Sequence, residues 1–454
     1  MGRAAITRIA SRRNLDGNYA GVRFLGIGET CDLGDMYLRL QRDGHEVRVF
    51  MSDEESEGVM QGMLEFTDDW GNELDWIREA GQDGVLLFET ASAGETQDEL
   101  RLSGFNVIGG SGLGDRLESE RDFGQTVLRD LGLKTATITR FSSFDEAAHF
   151  VRTSPGRYVF KLNGSNWPST RSYVGQMKNG DDMVALLTST RDTWTADEIP
   201  SFILMEHISG VEVGVGAFFN GQRFLSPPNL DWEHKRFFPG DIGELTGEMG
   251  TVVTYRGAER LFDATLARVA PMLRDSGYCG YINLNTIVNE QGVWPLEFTC
   301  RFGYPGFPIL GSLHEENWGA IFAAMIGKGV STIKTSLGYS VGVVLTVPSF
   351  PYSDGYAELG KGMPICFRDT LTRSDKDSLH YGEVAMMNDQ LVTAGMIGYI
   401  MVVTGLGESA GEARRAAYEC VDKVVIPNCR YRNDIGVRLI DRDFDTMRRL
   451  GWLE

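Results

Sequence analysis

Four short stretches of this chain gather acids and cations at spacings that could handle a phosphate group and a metal ion. The first, Glu206-His207-Ile208-Ser209-Gly210-Val211-Glu212, places two acids on either side of a Ser-Gly turn. The second, Trp232-Glu233-His234-Lys235-Arg236, leads into Gly240-Asp241-Ile242-Gly243-Glu244-Leu245-Thr246-Gly247-Glu248-Met249-Gly250. The third is Pro295-Leu296-Glu297-Phe298-Thr299-Cys300-Arg301-Phe302-Gly303-Tyr304-Pro305, and the fourth runs from Cys429 to Arg438. Glu297 offers the hard oxygen atoms that Mg²⁺ prefers, and Thr299 shares its face because a strand alternates sides with a period of two. Arg301 carries the planar guanidinium that suits an oxyanion. His234, Lys235 and Arg236 form a cationic run fit for phosphate or for a carboxylate. Lys161 lies near the end of the apolar run Tyr158–Leu162, where a buried lysine is costly unless paired. Any one block reads equally well as a solvated hairpin, a structural ion pair or a charged surface. The combination carries the argument.

These residues need elements to hold them. The segments 22–28, 47–50, 84–88 and 106–110 are short apolar runs, and residues 36–43 read as a helix between the first two. Strands alternating with helices imply a parallel sheet. The pair Gly26-x-Gly28 is a weak dinucleotide signal, because the third glycine of that motif is absent and position 31 is Cys31; it reads as a tight strand-to-helix turn. Residues 118–131 have helical spacing and form a linker helix. Ser143 and Glu146 make a capping box that starts a helix at Asp145. Strands follow at 158–162, 202–206 and 211–219. Between the first two lies a loop, 163–175, rich in turn-forming residues, with Gly164, Pro168 and Gly175 as pivots and Arg171 as its cation. Residues 260–276 read as one amphipathic helix, and 281–288 with 292–298 as an antiparallel pair about a turn at 289–292. The tail from about residue 340 has strands at 341–347 and 398–404 and a helix at 411–424.

Composition limits the function classes. The chain has 454 residues, which predicts roughly three domains at ~150 residues each. Its 44 basic and 63 acidic residues leave a net charge of −19, which argues against an extended nucleic-acid or anionic-membrane surface. No uninterrupted apolar run of about 18 residues occurs, so no membrane span is expected. Met1 to Asn14 carries four arginines and lacks the apolar run of a secretory signal, and it is read as a short extension. The six cysteines are scattered, which predicts neither a zinc site nor a disulfide framework and fits the cytoplasm.

In this order and at these spacings, the four blocks resemble the ATP-grasp superfamily and, within it, glycinamide ribonucleotide synthetase, over about residues 100 to 445. The resemblance implies α/β and α+β architecture: an extension at 1–20, a parallel-sheet domain at 21–115, a two-lobed ATP-grasp domain at 116–335 with a lid at about 135–200, and a C-terminal α+β domain at 336–454. It implies an ADP-forming ligase that activates a small carboxylic acid, expected to be an amino acid, as an acyl phosphate and joins it to an amine. ATP and Mg²⁺ or Mn²⁺ are the implied cofactors, and the protein is expected as a monomer or homodimer. By the resemblance, residues 203–206, including Met205 and Glu206, with His207, border adenine, and Glu212 holds ribose. Lys161, Arg171 and Arg121 face phosphates, Lys235, Arg236 and Arg301 serve the reacting groups, and Glu297 and Thr299 hold the metal, with Asn283 or Asn285 of the neighbouring strand compensating for the threonine.

The departures from the family cluster on the acceptor side. The family's Gly-Gly-Arg-Glu-His loop is replaced by Gly28-Glu29-Thr30-Cys31-Asp32, and its Gly-Gly-Arg turn by Ala394-Gly395-Met396-Ile397-Gly398. A phosphate-contacting lysine of the linker helix aligns near Gln125, with Arg121 as a substitute. Thr299 stands where the family has asparagine, and Tyr304-Pro305-Gly306 where it has Asp-Pro-Glu. The expectation is an intact nucleotide half and a changed amine acceptor, against the alternatives of an authentic phosphoribosylamine–glycine ligase and a non-catalytic nucleotide-binding protein.

Overall fold

The computed structural model describes residues 21–162, 171–191, 193, 201–327 and 330–453. The extension at 1–20 and the loop pivots Gly164 and Pro168 lie outside the described residues.

The apolar N-terminal runs form β1 (Arg23–Gly28), β2 (Glu46–Met51), β3 (Gly84–Phe88) and β4 (Asn106–Ile108), a parallel sheet in the order β2-β1-β3-β4. Every residue of β3 is buried, as expected of a parallel strand covered on both faces. β1 ends at Gly28, where an added Cβ would lie 2.1 Å from a carboxylate oxygen of Glu89. The glycine there makes room for a buried side chain, in keeping with a tight turn.

A second, smaller sheet is antiparallel. It contains β5 (Ile138–Phe141), β6 (Tyr158–Leu162), β7 (Tyr173–Val174) and β8 (Phe202–Glu206) in the order β5-β8-β6-β7. Its own core is aromatic, with Phe144 stacked on Phe202 at 4.9 Å between ring centroids. Ser143 caps the helix Phe144–Thr153 by accepting the Glu146 N–H.

The largest sheet joins β9 (Val211–Asn220), β10 (Asn229–Glu233), β13 (Gly250–Thr254), β14 (Cys279–Asn289), β15 (Gly292–Thr299) and β16 (Tyr339–Thr346). A separate hairpin, β11 (Arg236–Phe238) and β12 (Ile242–Leu245), projects between β10 and β13. The sheet order is β15-β14-β9-β10-β13-β16, followed by the strands Tyr399–Gly407 and Leu379–Tyr381. The tail therefore does not stand apart: β16 pairs directly with β13, from Gly250↔Val343 to Thr254↔Tyr339. Strand periodicity reports which face is buried and says nothing of which strand lies alongside.

Two expected helices are broken. Residues 118–131 divide into Gly112–Ser119 and Arg121–Asp130 about Glu120, whose φ of −92° and ψ of 83° are not helical. The break lets Glu118 accept the Cys300 N–H while Arg121 reaches Glu297. Residues 260–276 divide into Glu259–Ala264, a 3₁₀ turn at Leu266–Val269 and Ala270–Asp275. Thr265 leaves the helix there, with its hydroxyl on the Leu261 carbonyl, and Pro271 has no N–H to continue the ladder. All six cysteines are free, and no described helix is long and apolar enough to cross a membrane.

Candidate active site

The lid sheet and the large sheet close on two clefts that meet at Glu297. The outer one, about 410 Å³, has apolar walls from Val159, Val174, Met205, Leu245, Ile287 and Leu296. A flat heterocycle fits between such walls, and Glu206, His207 and Glu212 stand at the rim. The inner cleft, about 280 Å³, is lined by Arg301, Thr299 and Asn283 and by several acids. Arg121, Lys235, Gly247 and Glu297 belong to both.

Glu297 is the hub. It projects from β15, paired opposite Asn285 of β14. One carboxylate oxygen meets Arg121 at 3.0 Å and Lys161 at 3.2 Å, and the other meets Lys235 at 3.3 Å. Lys161, Lys235 and then Arg121 hold its pKa well below the usual carboxylate range against the opposing effect of burial. Burial works against the charge of Lys235 too, but Glu233, Glu297 and Glu212 keep its pKa well above the ordinary lysine value. For Lys161 burial outweighs the attraction of Glu297, and its pKa is lowered. At the outer cleft Arg121, Lys161, Arg171 and Lys235 outnumber Glu206, Glu212 and Glu297, a balance that suits an entering polyanion.

Asn285 and Glu297 also offer hard oxygen to a divalent cation. The Asn285 amide donates its N–H to Glu212 at 2.9 Å, while its buried Oδ1 has no partner. An unsatisfied oxygen beside an ionised carboxylate fits Mg²⁺ or Mn²⁺. Thr299 lies opposite Asn283 on the side of the inner cleft. Asn283 itself is committed to Asp231, 2.6 Å away.

Other expectations are redrawn. β8 lies inside its sheet, pairing with β5 and with β6, so the backbone of Ile203 and Leu204 is already used. The end of that strand and the turn after it, Glu206 to Ile208, face the cleft instead. His234 is not part of a cationic cluster. It is buried, accepts the Gly436 N–H, and has its pKa lowered to about 4 by burial and by the charges of Arg432 and Arg438. Arg236 turns away from both clefts to the Gly243 carbonyl, 2.5 Å away, because its residue opens the β11–β12 hairpin. Arg301 pairs with Glu118 at 3.0 Å rather than with Glu297. Arg171 is exposed at the outer cleft. Gln125 holds β15 through the Leu296 carbonyl at 2.7 Å, leaving the cation position to Arg121. Sequence reasoning missed Asp231 as a cleft residue and quoted Glu233 and Glu248 within a block without giving them a role; the alternation of Asp231 and Glu233 on β10 was a readable signal.

A lid sheet set over a large antiparallel sheet, with Lys161 of the lid strand β6 and Lys235 just beyond β10 meeting one carboxylate, defines the ATP-grasp class. The model of the phosphoribosylglycinamide synthetase ATP-grasp (A) domain matches residues 119–307, and that of the C domain of the same synthetase matches residues 340–438. The phosphoribosylamine–glycine ligase of Neisseria meningitidis serogroup B is 25% identical over 355 residues, covering 76% of this chain and 81% of that protein. That of Pseudomonas aeruginosa is 26% identical over 357 residues, 76% of this chain and 80% of its own. The crystal structure of the Thermotoga maritima phosphoribosylamine–glycine ligase superposes with a TM-score of 0.67 at 22% identity, over 91% of this chain and all of that one (100%). Biotin carboxylase from Campylobacter jejuni shares the fold at a TM-score of 0.62 and 11% identity, over 94% of this chain and 99% of that chain. The chain belongs to the phosphoribosylglycinamide synthetase family of ATP-grasp proteins, a family of ADP-forming ligases that make C–N bonds.

Proposed function

We propose that the protein joins a small carboxylic acid, an amino acid in the simplest case, to an amine other than phosphoribosylamine, using ATP. Adenine would lie between Val159, Met205, Ile287 and Leu296, with the phosphates running toward Lys161, Arg121 and Lys235. Mg²⁺, held by Glu297 and the free oxygen of Asn285, would neutralise phosphate charge. A carboxylate is a poor electrophile. Transfer of the γ-phosphoryl group to its oxygen creates a leaving group, and attack by the amine nitrogen then forms the amide and releases phosphate. Lys161 and Lys235 would orient the transferring group, and Arg301 at the inner cleft would hold the acid's carboxylate. The cytoplasm is the proposed setting.

One observation supports a changed acceptor. Backbone N–H groups that converge in a turn make a natural seat for a phosphate. At 396–399 the N–H groups of Met396, Ile397, Gly398 and Tyr399 all point at the carboxylate of the protein's own Glu383. In the N-terminal loop, the Asp32 N–H likewise goes to Glu89. Both loops that the family resemblance assigns to the phosphoribosyl substrate are thus filled by internal acids. The alternative, authentic phosphoribosylamine–glycine ligase activity, is favoured by the names of the relatives at about 25% identity. Expression in a cell lacking its glycinamide ribonucleotide synthetase separates the two. No rescue of purine-free growth, together with ADP release on an amine screen, supports the proposal; rescue at normal expression sinks it.

A further inference from the structure

Resting on that ligase reading, we propose that the inner cleft contains a subsite for a primary ammonium group, built from Asp231, Glu248 and Thr251, and that its ligand is a small, phosphate-free amine or amino acid. Asp231 and Glu248 are each 6% exposed, and Thr251 is 1% exposed. All three border the inner cleft. Oδ1 of Asp231, Oε1 of Glu248 and Oγ1 of Thr251 have no hydrogen-bond partner. Buried polar atoms without partners are uncommon, and three on residues of one cleft indicate a missing donor.

The charge balance identifies the donor's sign. Glu297 is matched by Arg121, Lys161 and Lys235, Glu118 by Arg301, and Glu233 by Lys235. Among the described residues, Asp231 and Glu248 form no salt bridge; the other oxygen of Asp231 receives only the amides of Asn229 and Asn283, at 3.1 and 2.6 Å. Burial, with Glu233 nearby, raises the pKa of both acids against the pull of Lys235, and a bound cation would relieve that cost. An alkylammonium brings three donors and one charge, matching two carboxylates and a hydroxyl. The fold makes room for this arrangement: at Gly214 an added Cβ would come 2.1 Å from Oδ1 of Asp231. With Asp32 also near Arg301, the surrounding field opposes a phosphate.

The ammonium could belong to the amine acceptor or to the α-amino group of the acid. Calorimetric titration of the full chain, saturated with Mg²⁺ and a non-hydrolysable ATP analogue, distinguishes them with ethanolamine, phosphoethanolamine and glycine. We expect ethanolamine, glycine or both to bind, with phosphoethanolamine weaker than ethanolamine. Asp231→Asn and Glu248→Gln should each weaken the bound probe about tenfold or more, as loss of a charge-assisted contact does, while affinity for the nucleotide analogue, the check on folding, stays within about twofold. Binding of ethanolamine alone assigns the site to the acceptor, and of glycine alone to the acid. The proposal is overturned if neither binds, if phosphoethanolamine binds as tightly as ethanolamine, or if correctly folded variants keep their affinity. Because no turnover is involved, amine binding without ADP release would defeat the ligase reading and leave the subsite standing.

Discussion

The two clefts share Glu297, Lys235 and Arg121 but have opposite chemistry. In the outer cleft, cations converge on one acid between apolar walls, so a flat, polyanionic ligand is matched. In the inner cleft, acids outnumber cations, and two of them have no ion-pair partner among the described residues. Loops on that side spend their backbone N–H groups on internal carboxylates. The same sheet can thus present an anion site and a cation site a few residues apart, because alternate strand positions and neighbouring strands supply different side chains to each. On the proposed reading, a family scaffold keeps its nucleotide chemistry while the acceptor side changes independently.

The sharpest way to break this comparison is Glu297→Gln. If Glu297 organises both clefts, amide formation should fall about 10²-fold to 10³-fold while the melting transition persists, as when a charge-stabilising group is removed from a reacting centre. Coupled-assay ADP release at wild-type rate would remove Glu297 from the chemistry. Lys161→Met tests the outer cleft alone. It should raise KM for ATP and lower kcat, together by about tenfold to a hundredfold, with little change in affinity for ethanolamine or glycine measured by titration. Equal losses in nucleotide and amine affinity would mean the clefts are not separable.

Glu89 probes the acceptor side through stability. Burial and Asp32 raise its pKa to about 8, above an ordinary glutamate value of about 4.3. A raised carboxylate favours the fold while protonated, so its ionisation should cost stability progressively as pH rises from the ordinary range through about 8. Glu89→Gln keeps acceptance of the Asp32 N–H and removes the charge. Unfolding free energies from urea titration at about pH 5 and about pH 9 should differ less in the variant than in the parent, by on the order of a few kcal/mol. An unchanged pH slope would show that Glu89 does not ionise across this window. The smallest effect is expected for Arg171→Ala. Its exposed position at the rim implies a rise in KM for ATP of only about threefold to tenfold. No change at all would leave Arg171 a rim residue without a phosphate role.

The parallel sheet of the N-terminal part was legible because β1, β3 and β4 are continuous apolar runs ended by glycine or polar turns. β14 and β15 were legible from the turn between them, and Glu297 from its place in a strand close to Arg301. What local pattern could not report were the pairings across distance. The break at Glu120 depends on Glu118 and Arg121 finding partners near residues 297–301, some 180 positions away in sequence. The orientation of Arg236 depends on a hairpin carbonyl, and the neutrality of His234 on burial beside Arg432, a residue of the tail. The union of the tail with the large sheet is likewise a matter of which edge β16 meets.

Residue types and their spacing determined by themselves an α/β scaffold carrying blocks of carboxylates, lysines and arginines suited to phosphate and metal; the resemblance to a family supplied the reading of those blocks as a nucleotide site. That information is local, because apolar periodicity, turn residues and strand alternation act over a few positions. Only the tertiary structure decided which charges neutralise one another. Lys161, Lys235 and Arg121 converge on Glu297 from separate elements, while Asp231 and Glu248 are buried with no salt bridge among the described residues. Electrostatic partnership falls off with distance in space, and distance in space is set by how the sheets pack.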